Sequence, residues 1–308
     1  MQFLATVRNR ALEPLRNSLT HFDKLLYIND VVFDPVDAAN LLFSTSADEN
    51  GKTNYRAACA VDFENPFKFY DTFATRDAQG YDMGVIFYPW FTGAGDARSR
   101  RDVLAQKDAV AVKSCWGGMV AFEAKWFQHS HIGDAQEVYG IRLPLQFRAD
   151  NDTYWDASEC CLIHADLTAL SSTHNNDTGI FMNPYIRVAY SKAVLDWLWF
   201  ARRLERLYTP AQSLINWIGA RPTFNPRRLE KPGDEVIDKV WVWDAQTQVA
   251  LQDDTVENST NAMHGTFEEV HRKALPGSFC GSRSLSYLVE RPGKDGKKWS
   301  HEEIPVST

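Results

Sequence analysis

The sequence has no run of about 18 apolar residues, so it offers no membrane-spanning helix. The N-terminus, MQFLATVRNRALEPL, lacks an apolar signal core and carries Arg8 and Arg10 inside it. Read alone, such a chain is expected to stay in the cytosol. Excess positive charge is also missing: the net charge is -7, which argues against a general nucleic-acid binder. None of the five cysteines (Cys59, Cys115, Cys160, Cys161, Cys280) forms a CxxC pair, which disfavours a zinc site. An odd count leaves at least one thiol unpaired in an oxidising compartment, and buried structural thiols are the default expectation. Internal repeats and low-complexity segments are absent. Aromatic residues are plentiful: 10 Trp, 11 Tyr and 18 Phe suit either a bulky core or sugar-stacking platforms. Three N-x-T sequons, at Asn151, Asn176 and Asn258, hint weakly at secretion.

The most informative stretch is Phe22 to Ala39. Lys24 to Ile28 is a short apolar run ending in Asn29-Asp30. Asp34-Pro35 then sets an N-cap and a first-turn proline for a helix over Val36 to Phe43. The pattern predicts a buried strand, an acidic tip and a helix. A carboxylate at a strand's carboxyl end is well placed to hold a divalent ion and, through it, a diphosphate; the plain alternative is that Asp30 caps a turn.

Elsewhere the pattern predicts a helix over Met1 to Leu19 broken near Pro14, and a buried strand over Tyr55 to Phe63. A loop or edge strand is expected around Pro89, and a short polar helix or lid over Asp96 to Gln106 carrying Arg98, Arg100 and Arg101. Val110 to Phe122 reads as strand, Gly117-Gly118 turn and a second apolar run, with Trp116 placed to face a sugar or to sit in a plain turn. Leu143 to Ala149 is a strand candidate. Cys160 to Ile163 reads as a buried strand delivering His164 and Asp166 at its end, with Asp156 and Glu159 just before it. His164 is either a core residue or a metal ligand. Asn183-Pro184 is expected to break the chain. Ser191 to Leu207 is the clearest helix, with Ser191 as its cap. Beyond Pro210, Lys239 to Trp243 is expected to pair with Gln248 to Gln252, and Leu285 to Arg291 with Lys298-Trp299.

Several stretches together resemble the fungal α-1,3-mannosyltransferase family typified by the cryptococcal capsule-related enzymes, glycosyltransferase family 69. They are RNRALEPL (Arg8 to Leu15), YINDVVFDPVDAANLLFST (Tyr27 to Thr45), YRAACAVDFENPFKFYDTFATRD (Tyr55 to Asp77), PWFTGAG (Pro89 to Gly95), KSCWGGMVAF (Lys113 to Phe122), FRADNDTYWDASECCLIHAD (Phe147 to Asp166) and NPYIRVAYS (Asn183 to Ser191). The resemblance implies an α/β, GT-A-like mixed sheet flanked by helices over residues 1–210, and a C-terminal extension with short strands over 211–308. It implies transfer of mannose from GDP-mannose to a glycan acceptor, in α-1,3 linkage with retention, in the Golgi lumen as a type II membrane protein. It implies a divalent metal, Mn²⁺ or Mg²⁺, held by Asp30 and His164. By their charge Arg8, Arg98, Arg100, Arg101 and Lys113 are candidates for phosphate contact in such a site, the plain alternative for the arginines being a solvated basic face; Trp116, Gly117 and Gly118 would shape the sugar pocket, and Asp156 and Glu159 are candidates for acceptor orientation or for stabilising the oxocarbenium-like centre. A GT-A domain places several strand–helix units before the metal strand, whereas about 29 residues precede Asp30 here. The nucleotide-binding half is therefore expected to be missing and donor binding by this chain to be weak. The competing expectation is an inactive relative that acts as a carbohydrate- or partner-binding module.

Overall fold

The computed structural model describes residues 1–128, 137–170, 178–244, 265–283, 286–288 and 299–301. Two short helices open the chain, α1 (Gln2–Ala11) and α2 (Glu13–Arg16), separated where Pro14 was expected to interrupt the pattern. Strand β1 (Lys24–Ile28) follows, then α3 (Pro35–Phe43), whose cap Asp34 accepts from the Val36 amide. Next come β2 (Ala57–Asn65), β3 (Lys68–Phe69), β4 (Arg76–Asp77), α4 (Arg98–Leu104), β5 (Val110–Ser114) and β6 (Met119–Glu123). Strand β7 (Asp156–Ala157), α5 (Glu159–Ala169), β8 (Ile180–Ala189), α6 (Lys192–Leu204) and α7 (Thr209–Ile218) complete the core region. The C-terminal part contributes β9 (Glu235–Trp243), β10 (Gly265–Lys273), β11 (Gly281–Ser282), β12 (Ser286–Leu288) and β13 (Trp299–His301).

The central sheet is mixed, in the order β1-β6-β2-β8-β5-β4, with β3 also paired to β2. Strands β1, β2 and β8 run the same way, since β1 and β2 both lie antiparallel to β6 and β8 lies parallel to β2. Alternate residues of each strand face opposite sides, as the pleat requires. Ala57, Cys59, Val61 and Phe63 of β2 join Val120, Phe122, Val110, Val112, Ile180 and Met182 in one core, where α5 contributes Ile163 and Leu167 and α1 contributes Ala5. Ala58 and Ala60 join Met119, Ala121, Ala111 and Phe181 on the other face, under Ala38 and Leu41 of α3. The chain is thus an α/β protein with a mixed sheet covered by helices on both faces, as expected.

Several local expectations are corrected. Leu143 to Ala149 joins no ladder and contains a cis Leu143–Pro144 bond. Asn183-Pro184 does not end a strand. It lies within β8 as an irregularity, where Cys59 faces Met182 and Val61 already faces Arg187. Asn183 is held there by Thr45, 2.9 Å away. Strand β9 pairs with β10 rather than with Gln248 to Gln252, which lies outside the described residues. Leu288 does pair with Trp299, as the second hairpin requires. Four of the five cysteines are bonded, Cys59 to Cys115 and Cys161 to Cys280, and Cys160 is a buried thiol. The second disulfide and the β7–β11 pairing fasten the C-terminal segment to the end of the core. Arg76, fully inside, adds its guanidinium to the carbonyls of Phe279 and Cys280.

Candidate active site

Strands β1, β2 and β8 end on one side of the sheet, the usual place for ligands in α/β folds. The Trp116–Gly118 turn between β5 and β6 sits there on top of β2. Gly117 and Gly118 have φ of +57° and +69°, a region glycine enters freely. A Cβ on Gly117 would lie 2.0 Å from the Ala60 carbonyl oxygen, and one on Gly118 would lie 2.7 Å from Val31 Cγ1 and 3.0 Å from Val188 Cγ2. The paired glycines therefore serve a close approach of turn to sheet.

One carboxylate anchors this turn. Asp71 Oδ2 accepts from Trp116 N at 3.0 Å, Gly117 N at 3.2 Å and the Thr75 hydroxyl at 3.0 Å, while Oδ1 accepts from Ala74 N at 3.0 Å. Beneath Gly118 lies Asp62, whose Oδ1 accepts from Asp71 N and Oδ2 from the Tyr190 hydroxyl, both at 3.0 Å. Burial raises the Asp62 carboxyl well above its ordinary range, with the Asp71 charge adding to the rise and the two hydrogen bonds opposing it. Tyr70 and Tyr190 meet edge to face, 4.7 Å apart, at the mouth of this group. The Tyr70 phenol is raised by burial and then by the charges of Asp62, Glu64, Asp30 and Asp71. Four carboxylates thus bear on one partly exposed tyrosine.

Trp116 ties the remaining parts together. Its indole Nε1 donates to Asn29 Oδ1 at 3.2 Å, and Asn29 N donates to Gly118 O at 2.9 Å, so the tip of β1 is held against the turn. Asp30, next along, is exposed. The Arg8 guanidinium lies 4.3 Å over the Trp116 ring and its Nε donates to Glu159 Oε1 at 2.9 Å. Glu159 is 3% exposed at the start of α5. Asn9 exchanges two hydrogen bonds with the Phe147 backbone, and Tyr27 OH donates to the Arg8 carbonyl, which fixes where α1 delivers Arg8. Trp116 itself is 3% exposed and packed among Tyr27, Phe122 and Phe147. Its ring shapes the site from behind and presents no open face to a sugar.

The structure therefore brings Arg8, Asp30, Trp116, Gly117, Gly118 and Glu159 into one region. Asp156 lies three residues before Glu159, in β7 opposite Ser282. The other expected contacts point elsewhere. Arg100 reaches the Phe91 carbonyl and Gln212 and Ser213 of α7, so it fastens α4 to α7. Arg98 lies near Asp102 on its own helix, and Arg101 is exposed on the same short element. Lys113 lies over the Phe279 ring, and burial lowers its ammonium, with Arg228 acting in the same direction.

His164 is the main correction. It belongs to α5, not to a strand end, and has no exposed surface. Its Nδ1 lies 2.7 Å from the Cys160 carbonyl, its ring packs on Phe122, and Nε2 is enclosed without a partner. Exposed Asp30 and this enclosed ring do not share an ion. Among the described residues, the only group of three ligand types close enough to share a metal is Cys59, Cys115 and His164, and those two sulfurs are bonded to each other. Among the described residues, the carboxylates make no all-protein cage either. Carboxylates of this kind suit a hard ion that takes most of its shell from other oxygen donors.

Burial pushes His164 down to about 4, against the pull of the Cys160 carbonyl. Between its ordinary value near 6.5 and about 4, the unfolded chain binds a proton that the native ring refuses. Stability is therefore whole above pH 6.5 and falls by about 3 kcal/mol as the pH drops to 4. Asp62, raised by burial, slopes the other way, so the comparison must be within one background. His164→Leu is expected to remove the His164 share of the slope in unfolding titrations at pH 7 to 4. An unchanged slope would show that the ring titrates alike in both states.

Residues 1–166 match the family described as cryptococcal mannosyltransferase 1. The chain belongs to this family. No curated protein and no solved structure matches it. Membership makes the protein a mannosyltransferase-type transferase, with a sugar donor and a glycan acceptor to bring together. The matched span holds Arg8, Asp30, Asp62, Asp71, Trp116–Gly118 and Glu159, and stops short of Tyr190. No helix among the described residues is long and apolar enough to cross a membrane.

Two of these residues were missed from sequence. Asp62 sits in the run AACAVDF, and a carboxylate in a buried strand implies partners because burying it bare is costly. Asp71 precedes Ala74 and Thr75 at the spacing of a side-chain-capped turn.

Proposed function

We propose that this chain transfers mannose from GDP-mannose to a glycan acceptor, in α-1,3 linkage and with retention, at the carboxyl ends of β1, β2 and β8 within a GT-A-like sheet. The observation that supports the reading most is the set of acids around the Trp116–Gly118 turn in a chain of this family. A divalent ion, Mn²⁺ or Mg²⁺, bound by Asp30 would neutralise the diphosphate leaving group as a Lewis acid. Asp71 holds the turn that forms the floor. Tyr70 and Tyr190 border it on the side of Asp62. Glu159, with its charge partly met by Arg8, is the carboxylate we assign to stabilising the positively charged sugar in the transition state. Asp156, nearer the rim, is assigned to orienting the acceptor. A retaining transfer does not require a strong general base on the opposite face, which agrees with a site whose acids are mostly engaged. Two disulfides accord with an oxidising compartment such as the Golgi lumen.

The test is Asp30→Asn in the intact enzyme. Asp30 is exposed and packs little, so the fold should be kept. Transfer from GDP-mannose is expected to fall by about 100-fold at fixed Mn²⁺, roughly 2.7 kcal/mol of transition-state stabilisation. The concentration of Mn²⁺ giving half-maximal rate should rise. Metal-dependent transfer at the wild-type rate would remove Asp30 from the metal site.

A further inference from the structure

Beyond the transfer site, a second cleft runs between residues 150–155 and the β9–β10 ribbon. Its walls include Asp152, Trp155, Arg227, Trp241, Trp243 and Arg272. It shares Asp150 to Thr153 and Trp155 with a neighbouring cleft that extends past Asp156 to Gln2. Gln2 precedes Arg8 by six residues on α1, roughly 9 Å of helix. The trough therefore leads from the rim of the transfer site toward β9.

Its chemistry is specific. Trp241, Trp243 and Phe267 cluster with Tyr154 on one side of the ribbon, the two indoles 5.5 Å apart and nearly perpendicular. Gly265 stands across from Trp243, and a Cβ there would strike Trp241 Nε1 at 2.6 Å. Both arginines of the cleft are already paired. Arg227 pairs with Asp152 and Asp238, Arg272 pairs with Glu230 and Asp238, and Lys273 sits across from Glu235. Burial would raise Asp238, but its Arg272, Arg227 and Arg283 partners outweigh that and hold its carboxyl below the ordinary range. Among the described residues, the arginines of the cleft are therefore not free to grip a charged ligand. Carboxylates gripped by arginine keep lone pairs that accept hydroxyl protons, Asn151 offers both donor and acceptor, and indole faces suit the apolar face of a pyranose.

We propose that this trough is an extended acceptor subsite, which holds a neutral oligosaccharide through its units remote from the one being mannosylated. The proposal rests on the transferase reading for the word acceptor; binding itself can be read without it. The β9–β10 ribbon would then set the length of acceptor preferred, since an acceptor too short to reach Trp243 gains nothing from it.

The probes are linear α-linked mannobiose and mannotetraose, with protein from a bacterial host so that the Asn151 sequon carries no glycan. In calorimetry, mannotetraose is expected to bind and mannobiose to bind at least about tenfold more weakly. Trp243→Ala is expected to weaken mannotetraose about tenfold, while Trp243→Phe keeps most of the affinity and guards against a loosened ribbon. In transfer assays, Trp243→Ala should raise KM for the tetrasaccharide and leave kcat and hydrolysis of GDP-mannose unchanged. Transfer whose KM for mannotetraose ignores Trp243→Ala in a folded variant overturns the subsite and leaves the transferase reading intact. Trp243-dependent binding by a chain that transfers nothing supports the subsite and counts against the transferase reading. Absence of mannotetraose binding to the folded wild-type protein overturns the subsite as well.

Discussion

Gly117→Ala is expected to be among the most damaging single-atom changes in this chain. Two costs coincide. Alanine at a φ of +57° carries about 1–2 kcal/mol of backbone strain. The added methyl would also meet the Ala60 carbonyl oxygen at 2.0 Å, and the neighbouring carbonyl carbon at 2.7 Å. Those atoms belong to the central strand β2, which is paired on both sides and cannot yield as a side chain would. The turn must lift instead, which breaks the bonds from Trp116 N and Gly117 N to Asp71 and costs about 4 kcal/mol or more in all. Thermal or denaturant unfolding of the variant should show that loss, and transfer should be abolished. Gly93→Ala is the control, because a Cβ there meets nothing within 4 Å. A Gly117→Ala protein as stable and active as the Gly93→Ala protein would refute the close seating of the turn.

The elements that sequence reading placed correctly share a cause. Asp34 and Ser191 cap α3 and α6 as their residue types suggest, each accepting from an amide two or three residues on. The β1 strand ends where Asn29-Asp30 begins, because two consecutive polar residues end its apolar run. Helix α5 defeated the same approach. From Glu159 to Leu167 every residue is buried, including Glu159, His164 and Asp166, so the helix has no polar face and shows no 3.6-residue period. A short apolar run of that kind reads equally well as a strand. Misreading α5 put His164 at a strand end, where the family resemblance then made it a metal ligand. Asp166 also belongs to the interior, paired twice with Arg148 at 2.8 and 2.9 Å.

Helix α7 was missed for a different reason. Its buried positions are Gln212 and Asn216, one turn apart, so the inward stripe is polar. Gln212 and Asn216 accept from Arg100 and from the Val85 amide, and Gln212 also donates to the Phe91 carbonyl. A hydrophobic-periodicity search finds such a helix only by its outward face, where Leu214, Trp217 and Ile218 are exposed. The donor contacts assigned to Arg98, Arg100 and Arg101 came from their charge and their place after a glycine-rich turn. Neither feature registers that Arg100 is used up in holding α7.

Asp71→Ala is expected to rival Gly117→Ala, through loss of an acceptor instead of a clash. Four donors converge on this carboxylate, two of them the amides that open the Trp116–Gly118 turn. Hydrogen bonds to a charged group contribute about 1.5–3 kcal/mol each, and their sum is not additive. Removing the acceptor strands amides that are not exposed to water, so a loss of about 4 kcal/mol is expected. Asp71→Asn should lose less, about 2 kcal/mol, since one oxygen still serves the three donors at Oδ2 while the amide nitrogen faces Ala74 N–H. Asp62 provides the second readout. Its carboxyl is raised partly by the Asp71 charge, so both variants should bring it down toward the ordinary carboxylate range. A carboxyl with a raised native value adds stability on acidification, from its native value down to its unfolded one. That contribution should shrink in Asp71→Asn, and the stability of the variant should depend less on pH across this window. Both variants should lose transfer, Asp71→Ala the more. An Asp71→Asn protein with wild-type stability, an unaltered pH dependence and full transfer would show that the turn stands without its carboxylate.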